Sequence, residues 1–268
     1  NLKILAPSRG QIVDRFGVPL AVNNQNFRVL LIPEQAGDVE KALRAIQGLV
    51  SVDERDIRRL LRQVERSPSF APIEIRDNLT WPEVSRIEVR LTDLPGISID
   101  VGELRTYPFG DATAHLIGYV GAVAKSDQST DPLTSLPGFR VGKNGVEKTY
   151  DSQLRGQAGR AEVEVNVLGR EVRELRRFPA TAGERITLSI DAELQRLLQQ
   201  RLAQEKSAAA VVLDVKTGAI YAMASFPAFD PNIFARGIPA DLWEEIQSAP
   251  VSPLTNKAVA GQYPPGST

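Results

Sequence analysis

The sequence predicts an α+β protein. Helical apolar stripes opened by capping residues stand between short alternating strands over residues 27–105. A strand, a helix and a hairpin then follow one another from Gly183. Within the first region, Phe27–Ile32 is an apolar strand-like run, and Asp38–Gln47 sets Val39, Ala42, Leu43 and Ile46 on one helical face. Ser51, with Glu54 three residues on, forms a capping box ahead of the stripe Ile57, Leu60, Leu61 and Val64. Pro72–Ile75 reads as a strand. Thr80 and Glu83 form a second box with Pro82 in the first turn, and Ile97–Val101 alternates as a strand.

Outside that subdomain the signals thin. Residues 1–26, punctuated by Pro7, Gly10, Gly17 and Pro19, read as loop. Residues 106–178 carry one short helix near Gly145–Leu154 and an alternating strand through Val163, Val165 and Val167. Ala124–Asn144 reads as an exposed loop, and Arg170–Arg177, broken by Glu171 and Glu174, as a solvated face. Ile186, Leu188 and Ile190 alternate, and Asp191 caps a helix carrying Leu194, Leu197, Leu198 and Leu202. Val211–Val215 and Ala219–Ser225 then pair across Lys216-Thr217-Gly218, so this region reads as the opening of an α/β domain.

Composition narrows the function. A chain of 268 residues suggests about two domains. With 32 basic and 33 acidic residues scattered along it, the chain has no electrostatic footprint for nucleic acid. The absence of cysteine removes disulfides, thiol catalysis and cysteine metal sites together. His115, the single histidine, has no convincingly spaced acidic partners for a metal and no serine motif nearby for a triad, so it reads as a packing residue. No run reaches the ~18 apolar residues that cross a bilayer. Both ends look cut, so an upstream membrane segment stays open.

The chemistry-bearing stretch is Gly261-Gln262-Tyr263-Pro264-Pro265-Gly266-Ser267-Thr268. Prolines and a glycine fix a turn, and Ser267 would open the helix behind it. Backbone N–H groups at such a terminus can hold an oxyanion. A serine hydroxyl still needs a base. A lysine three residues on would complete the S-x-x-K pattern, and the sequence ends before that position. Taken alone, the stretch also fits a plain loop-to-helix turn.

Five further groups of residues accompany it in order. Arg9-Gly10, Asp14-Arg15, Gly17 and Leu20-Ala21 come first, with Phe16 between them. Tyr107-Pro108, Gly110, Ala114-His115-Leu116-Ile117 and Gly118-Tyr119-Val120-Gly121 follow. Gly145-Val146-Glu147-Lys148, Tyr150, Leu154-Arg155-Gly156 and Gly159 come third, then Val163-Glu164-Val165-Asn166 with Gly169-Arg170. Ile190-Asp191, Leu194-Gln195, Leu213-Asp214 to Ser225, Phe226-Pro227 and Asp230-Pro231-Asn232 precede Asn256, Lys257 and the serine motif. Along nearly its whole length the chain therefore resembles the elongation-type class B penicillin-binding proteins. Phe16 departs from the family's Asn. The elongation subtype rests on Val163–Arg170 and on Pro264, where division enzymes usually carry an acidic residue.

The resemblance implies an elongated, dimerisation-domain-like pedestal over residues 1–178, with residues 27–105 as its head. The truncated start of an α/β penicillin-binding transpeptidase domain would occupy residues 179–268. It implies Ser267 as the catalytic nucleophile of a peptidoglycan D,D-transpeptidase that acts on stem peptides, is trapped by β-lactams, and needs neither metal nor organic cofactor. The 268 residues alone, without the lysine, are not expected to catalyse. Implied partners are a membrane glycosyltransferase and scaffold proteins of the elongation complex. The implied location is the periplasmic face of the inner membrane, with an N-terminal transmembrane anchor. The alternatives are an interaction module, the division-type paralogue, or a relative that only senses β-lactams. If Leu60 and Leu61 face a partner, substitutions there would test the interaction module; if they pack the head, stability would fall instead. Lys216-Thr217-Gly218 has the letters of the family's third motif but precedes the serine, and turn chemistry explains it. Glu147, Arg155, Glu164 and Arg170 are expected to form ion pairs that fix the angle between pedestal and catalytic domain, or to contact a partner. Trp81 is expected to pack at a helix start, and Trp243, with Leu242 and Ile246, in a short helix near the active-site entrance.

Overall fold

The computed structural model describes residues 2–124, 127, 131–136, 138–165 and 171–261. Three strands open the chain: β1 (Leu2–Leu5), β2 (Ile12–Val13) and β3 (Pro19–Leu31). The expected loop over residues 1–26 is thus largely strand. The polar run Asn23–Asn26 shows no apolar alternation, yet it is paired residue by residue along the backbone. Helices α1 (Pro33–Ala36), α2 (Val39–Gln47) and α3 (Glu54–Arg66), strand β4 (Ile73–Leu79), α4 (Trp81–Glu88) and β5 (Ile97–Thr106) complete the first body. Strand β3 is central, antiparallel to β4 on one side and to β5 over Val22–Leu31 on the other. Val29, Leu31, Leu43, Ile46, Ile57, Leu60, Ile73 and Ile87 form its core. Leu60 is fully buried and so faces no partner, while Leu61, partly buried, packs at the core margin.

Helix α3 corrects the Ser51 capping box. The cap is Asp53, whose carboxylate accepts the Asp56 N–H at 2.8 Å. Val52 and Ile57 both join the core and staple the entry across the first turn, which moves the cap past Ser51. Asp53→Ala is therefore expected to lower the thermal midpoint by a few degrees, while Ser51→Ala leaves it unchanged; a melting comparison decides. The second box forms as read, with Glu83 Oε2 accepting the Thr80 N–H at 2.8 Å and its hydroxyl at 2.7 Å. Trp81 meets the Phe27 ring (centroids 5.4 Å) but stays 66% exposed, so its packing covers one side only.

The chain continues through α5 (Ala114–Ile117), β6 (Val120–Ala122), β7 (Arg140–Gly142), α6 (Gly145–Thr149), α7 (Asp151–Arg155), β8 (Gly159–Val165), β9 (Glu171–Phe178) and β10 (Ile186–Thr187). The helix expected at 145–154 is two short helices broken at Tyr150. The expected loop over 124–144 contains β7, paired with β6. Val167 and Arg170 lie outside the described residues. Strand β8 pairs β1 and β9, so the arginine-rich solvated stretch is a strand with exposed side chains. The strand expected through Ile190 ends at Thr187, paired in parallel with β2.

Helix α8 (Ala192–Leu202) and the hairpin β11 (Ala208–Leu213) and β12 (Ile220–Phe226) follow, then α9 (Pro231–Arg236), α10 (Ala240–Ser248) and α11 (Lys257–Ala260). At the hairpin turn Asp214 accepts the Lys216 and Thr217 N–H groups at 2.8 and 2.9 Å. The Tyr221 hydroxyl, 2.6 Å away, and these N–H groups hold the Asp214 carboxyl down to about 2. Gly218 takes φ +73°, so Lys216-Thr217-Gly218 is fully used as a turn. The leucine stripe of α8 is a second correction. Its buried face is Ala192, Gln195 and Gln199, and Leu197 is 53% exposed. No described helix is long and apolar enough to cross a membrane.

Candidate functional site

Ser267 lies outside the described residues. What the structure shows is how the chain leading to it is held. Buried Ser225, at the end of β12, accepts the Lys257 N–H at 2.9 Å and donates to the Thr255 carbonyl at 3.3 Å. The Asn256 side chain caps α11 by accepting the Ala258 N–H at 3.1 Å. Lys257, ten residues before Ser267, extends its ammonium group to the Ser252 carbonyl at 3.3 Å. From α5, His115 Nε2 donates to the Pro253 carbonyl at 2.8 Å while its ring meets Phe229 edge-on at 5.4 Å. His115 therefore packs as expected and also ties α5 to the turn before α11.

Burial, reinforced by the nearby Lys257 charge, holds the His115 pKa below its ordinary value. The unfolded chain takes up a proton near pH 6.5 and the folded chain only at lower pH. The His115 contribution to stability is thus complete above about pH 6.5 and falls away as pH drops below it. Melting curves of wild type between about pH 7 and 5 should fall more steeply than those of His115→Gln, in which this titration is absent.

Beside His115 lies an aromatic cluster. Tyr119 and Phe234 stack at 4.2 Å, and Phe229 meets Phe234 edge-on at 5.2 Å. Trp243 and Ile246 of α10 pack against it, with Trp243 edge-on to Phe234 at 6.1 Å. Leu242 is half-buried on the same helix.

Four side chains join the early and late parts of the chain. Asp14 Oδ1 accepts the Phe16 and Val18 N–H groups at 2.8 Å each, closing its own turn. Its Oδ2 accepts the Ala192 N–H at 3.1 Å, so it caps α8 from 178 residues away. Arg15 lays its guanidinium over the Tyr221 ring at 4.3 Å. Gln195 donates to the Ala112 and Met223 carbonyls at 2.7 and 2.9 Å and accepts the Met223 N–H at 2.7 Å. Asn232 accepts the Tyr107 N–H at 2.9 Å and donates to the Tyr107 carbonyl at 3.0 Å. The backbones also close tightly here. A Cβ on Gly10 would stand 1.9 Å from the Glu184 carbonyl oxygen, and one on Gly183 only 1.8 Å from that of Leu154.

Beneath this seam Glu147 is fully buried. Its carboxylate receives Arg9 Nε at 2.7 Å, Arg9 Nη2 at 2.6 Å and Arg105 Nε at 2.7 Å. Arg9 continues to Asp151 at 2.8 Å, and Arg155 bridges Asp151 and Asp131. Burial, then the Glu147 charge, pushes the Tyr107 hydroxyl well above its usual range, so it stays protonated and accepts the Val120 N–H at 2.9 Å. Of the four residues expected to form ion pairs, Glu147 and Arg155 meet in this network. Glu164 pairs instead with Arg173 at the surface, a contact worth about 0–1 kcal/mol, and Arg170 lies outside the described residues.

The described residues hold no group of His, Asp or Glu placed for a metal ion. Their chemical contribution is positional: they present the end of β12 and α11 on a rigid seam. Sequence reasoning overlooked Asp14, Gln195, Ser225 and Asn232 as contacts. A usable signal for one was the i, i+3, i+7 set Ala192, Gln195, Gln199, a small-and-amide face that competes with the leucines.

The geometry has counterparts in known proteins. The penicillin-binding protein dimerisation domain matches residues 4–188, and the penicillin-binding protein transpeptidase domain matches residues 208–268. The peptidoglycan D,D-transpeptidase MrdA of Escherichia coli K12 is 37% identical over 98% of this chain and 42% of its own length. MrdA of Haemophilus influenzae is 35% identical over 98% of the chain and 41% of its own length. A Helicobacter pylori penicillin-binding protein (PBP2), solved in complex with MreC, superposes with TM-score 0.80 and 26% identity, over 96% of this chain and 48% of that one. The chain thus spans less than half the length of these relatives. By the dimerisation-domain match over most of its length, and by its mixed helix–strand fold, the chain belongs to the penicillin-binding proteins.

Proposed function

We propose that this chain is part of a peptidoglycan D,D-transpeptidase of the elongation type, with Ser267 as its nucleophile. The observation that carries the reading is co-linear similarity to two MrdA proteins over 98% of the chain, with the transpeptidase match running through residue 268. Residues 1–178 would be the pedestal, with residues 27–105 as its head, and residues 179–268 the start of the catalytic domain. In the full-length parent, the Ser267 oxygen attacks the carbonyl between the two terminal D-alanines of a stem peptide as a base removes its proton. The C–N bond breaks, D-alanine leaves with a proton, and an acyl-enzyme remains. The amine of a neighbouring stem peptide then displaces Ser267 and completes the cross-link. A β-lactam presents the same acyl centre on a strained ring and stays attached.

The proposed setting is the periplasmic face of the inner membrane, with an anchoring helix upstream. A scaffold partner is supported by the H. pylori PBP2 relative, solved with MreC; a membrane glycosyltransferase partner rests on family resemblance. The second reading, an interaction module without catalysis, is favoured by the extent of non-catalytic fold, since the dimerisation domain alone covers residues 4–188. Labelling the full-length parent with a fluorescent penicillin and mapping the acylated peptide separates the two. Label on the Ser267 peptide supports the transpeptidase; a folded parent that takes no label there leaves the interaction module.

A further inference from the structure

Helix α3 carries five arginines, Arg55, Arg58, Arg59, Arg62 and Arg66, against three acidic residues, Glu54, Asp56 and Glu65. At about 100° per residue the five arginines fall within an arc of about 100°, opposite the buried Ile57 and Leu60, along about 16 Å of helix. The acidic residues flank the arc and none lies within it. All five arginines are exposed. Arg59 pairs with Asp56 at 3.0 Å, and among the described residues Arg55, Arg58, Arg62 and Arg66 form no ion pair.

This row works against the helix that bears it. Arg55/Arg58, Arg55/Arg59, Arg58/Arg62, Arg59/Arg62 and Arg62/Arg66 are like-charge neighbours at i, i+3 or i, i+4, a spacing that destabilises a helix. Of the other exposed arginines, Arg44, Arg173, Arg177 and Arg196 each have a carboxylate within reach, whereas on α3 four arginines without an ion pair fall in one row. The whole chain is close to neutral, at −1, so the row is not a general basic character. Nor is it a flat field of charge. Arg55, Arg58, Leu61 and Arg62 line a shallow groove, with Leu61 and the arginine stems as an apolar floor and the guanidinium groups as its rim. Arg59, Arg62, Gln63 and Arg66 continue it toward the end of the helix.

We propose that this face of α3 docks an acidic amphipathic segment of a partner protein. Its carboxylates would meet the guanidinium forks in pairs and its apolar side chains would rest on the Leu61 floor. Planar guanidinium groups suit carboxylates better than ammonium groups do, and an apolar floor suits a side chain rather than a bare anion. The inference does not depend on the transpeptidase reading.

The test uses the full chain and a fluorescein-labelled helical peptide of Glu, Leu and Ala, followed by fluorescence anisotropy. Binding should weaken as salt rises. It should drop about tenfold or more in R55E/R58E/R62E, and stay at the wild-type level in R176E/R201E, which moves charge on β9 and α8. A Lys, Leu and Ala peptide should show the reverse preference. R55Q/R58Q/R62Q gives the same reading if charge reversal impairs folding. Unchanged peptide affinity in both triple variants would overturn the proposal. So would equal binding of a Glu and Ala peptide lacking leucine, or wild-type binding to phosphatidylglycerol vesicles but not to the peptide.

Discussion

Ser267→Ala in the full-length parent is expected to abolish covalent labelling by a fluorescent penicillin while leaving the thermal midpoint at the wild-type value. On the proposed reading the label is an ester to the Ser267 oxygen, and alanine has no atom that can form it. Reversible binding of the drug can persist, because recognition and bond formation are separate contributions. Removing one member of a catalytic unit of this kind costs on the order of 10⁴–10⁶ in rate, so residual cross-linking should fall below detection. Gel fluorescence after denaturation reads the covalent step alone, and a melting curve on the same preparation shows that the fold survives. Label retained on the Ser267 peptide of the variant would sink the nucleophile assignment, whatever the fate of the family reading.

Glu147→Ala is expected to be the most destabilising single substitution among the described residues. Glu147 is fully buried and is the shared counter-charge of Arg9 and Arg105, themselves nearly buried. Truncation leaves the buried Arg105 guanidinium without its ion-pair partner and Arg9 with Asp151 alone. Removing one partner of a buried ion pair costs about 3–5 kcal/mol, because the remaining charge keeps its desolvation penalty. For a chain of this size that corresponds to a fall of roughly 10 °C in the thermal midpoint. The surface pair Glu164–Arg173 is the internal control, since Glu164→Ala should change stability by less than about 1 kcal/mol. If both variants melt together, the buried network does not hold the seam. Glu147→Gln keeps the shape and part of the hydrogen bonding and should fall between wild type and alanine.

Much of the head was legible because its helices are amphipathic over several turns. Ala42, Leu43 and Ile46 of α2, and Ile57 and Leu60 of α3, are buried where periodicity places them. The hairpin turn at Asp214–Gly218 was legible for the same reason: its stabilising contacts all lie within seven residues. The first half of β3 was not legible. Asn23 to Asn26 carry no alternation, and only the backbone of β5, some eighty residues on, makes them a strand. The cap of α3 was missed by two residues because Val52 is drawn into a core that a capping pattern does not record.

The candidate site divides in the same way. The sequence by itself marked the serine motif, the turn behind Lys216-Thr217-Gly218, the helices of the head, and the order of segments that carries the family resemblance. Only the tertiary structure showed that Gln195 rather than the leucines faces inward on α8, that Asp14 caps that helix, and that Glu147 is a desolvated charge between two arginines. The physical reason is range. Periodicity, capping and turns act over about three to eight residues and leave a trace in adjacent letters. Gln195 meets Ala112 across 83 positions and Arg9 meets Glu147 across 138, and a buried polar group is stabilised only by partners the fold brings to it.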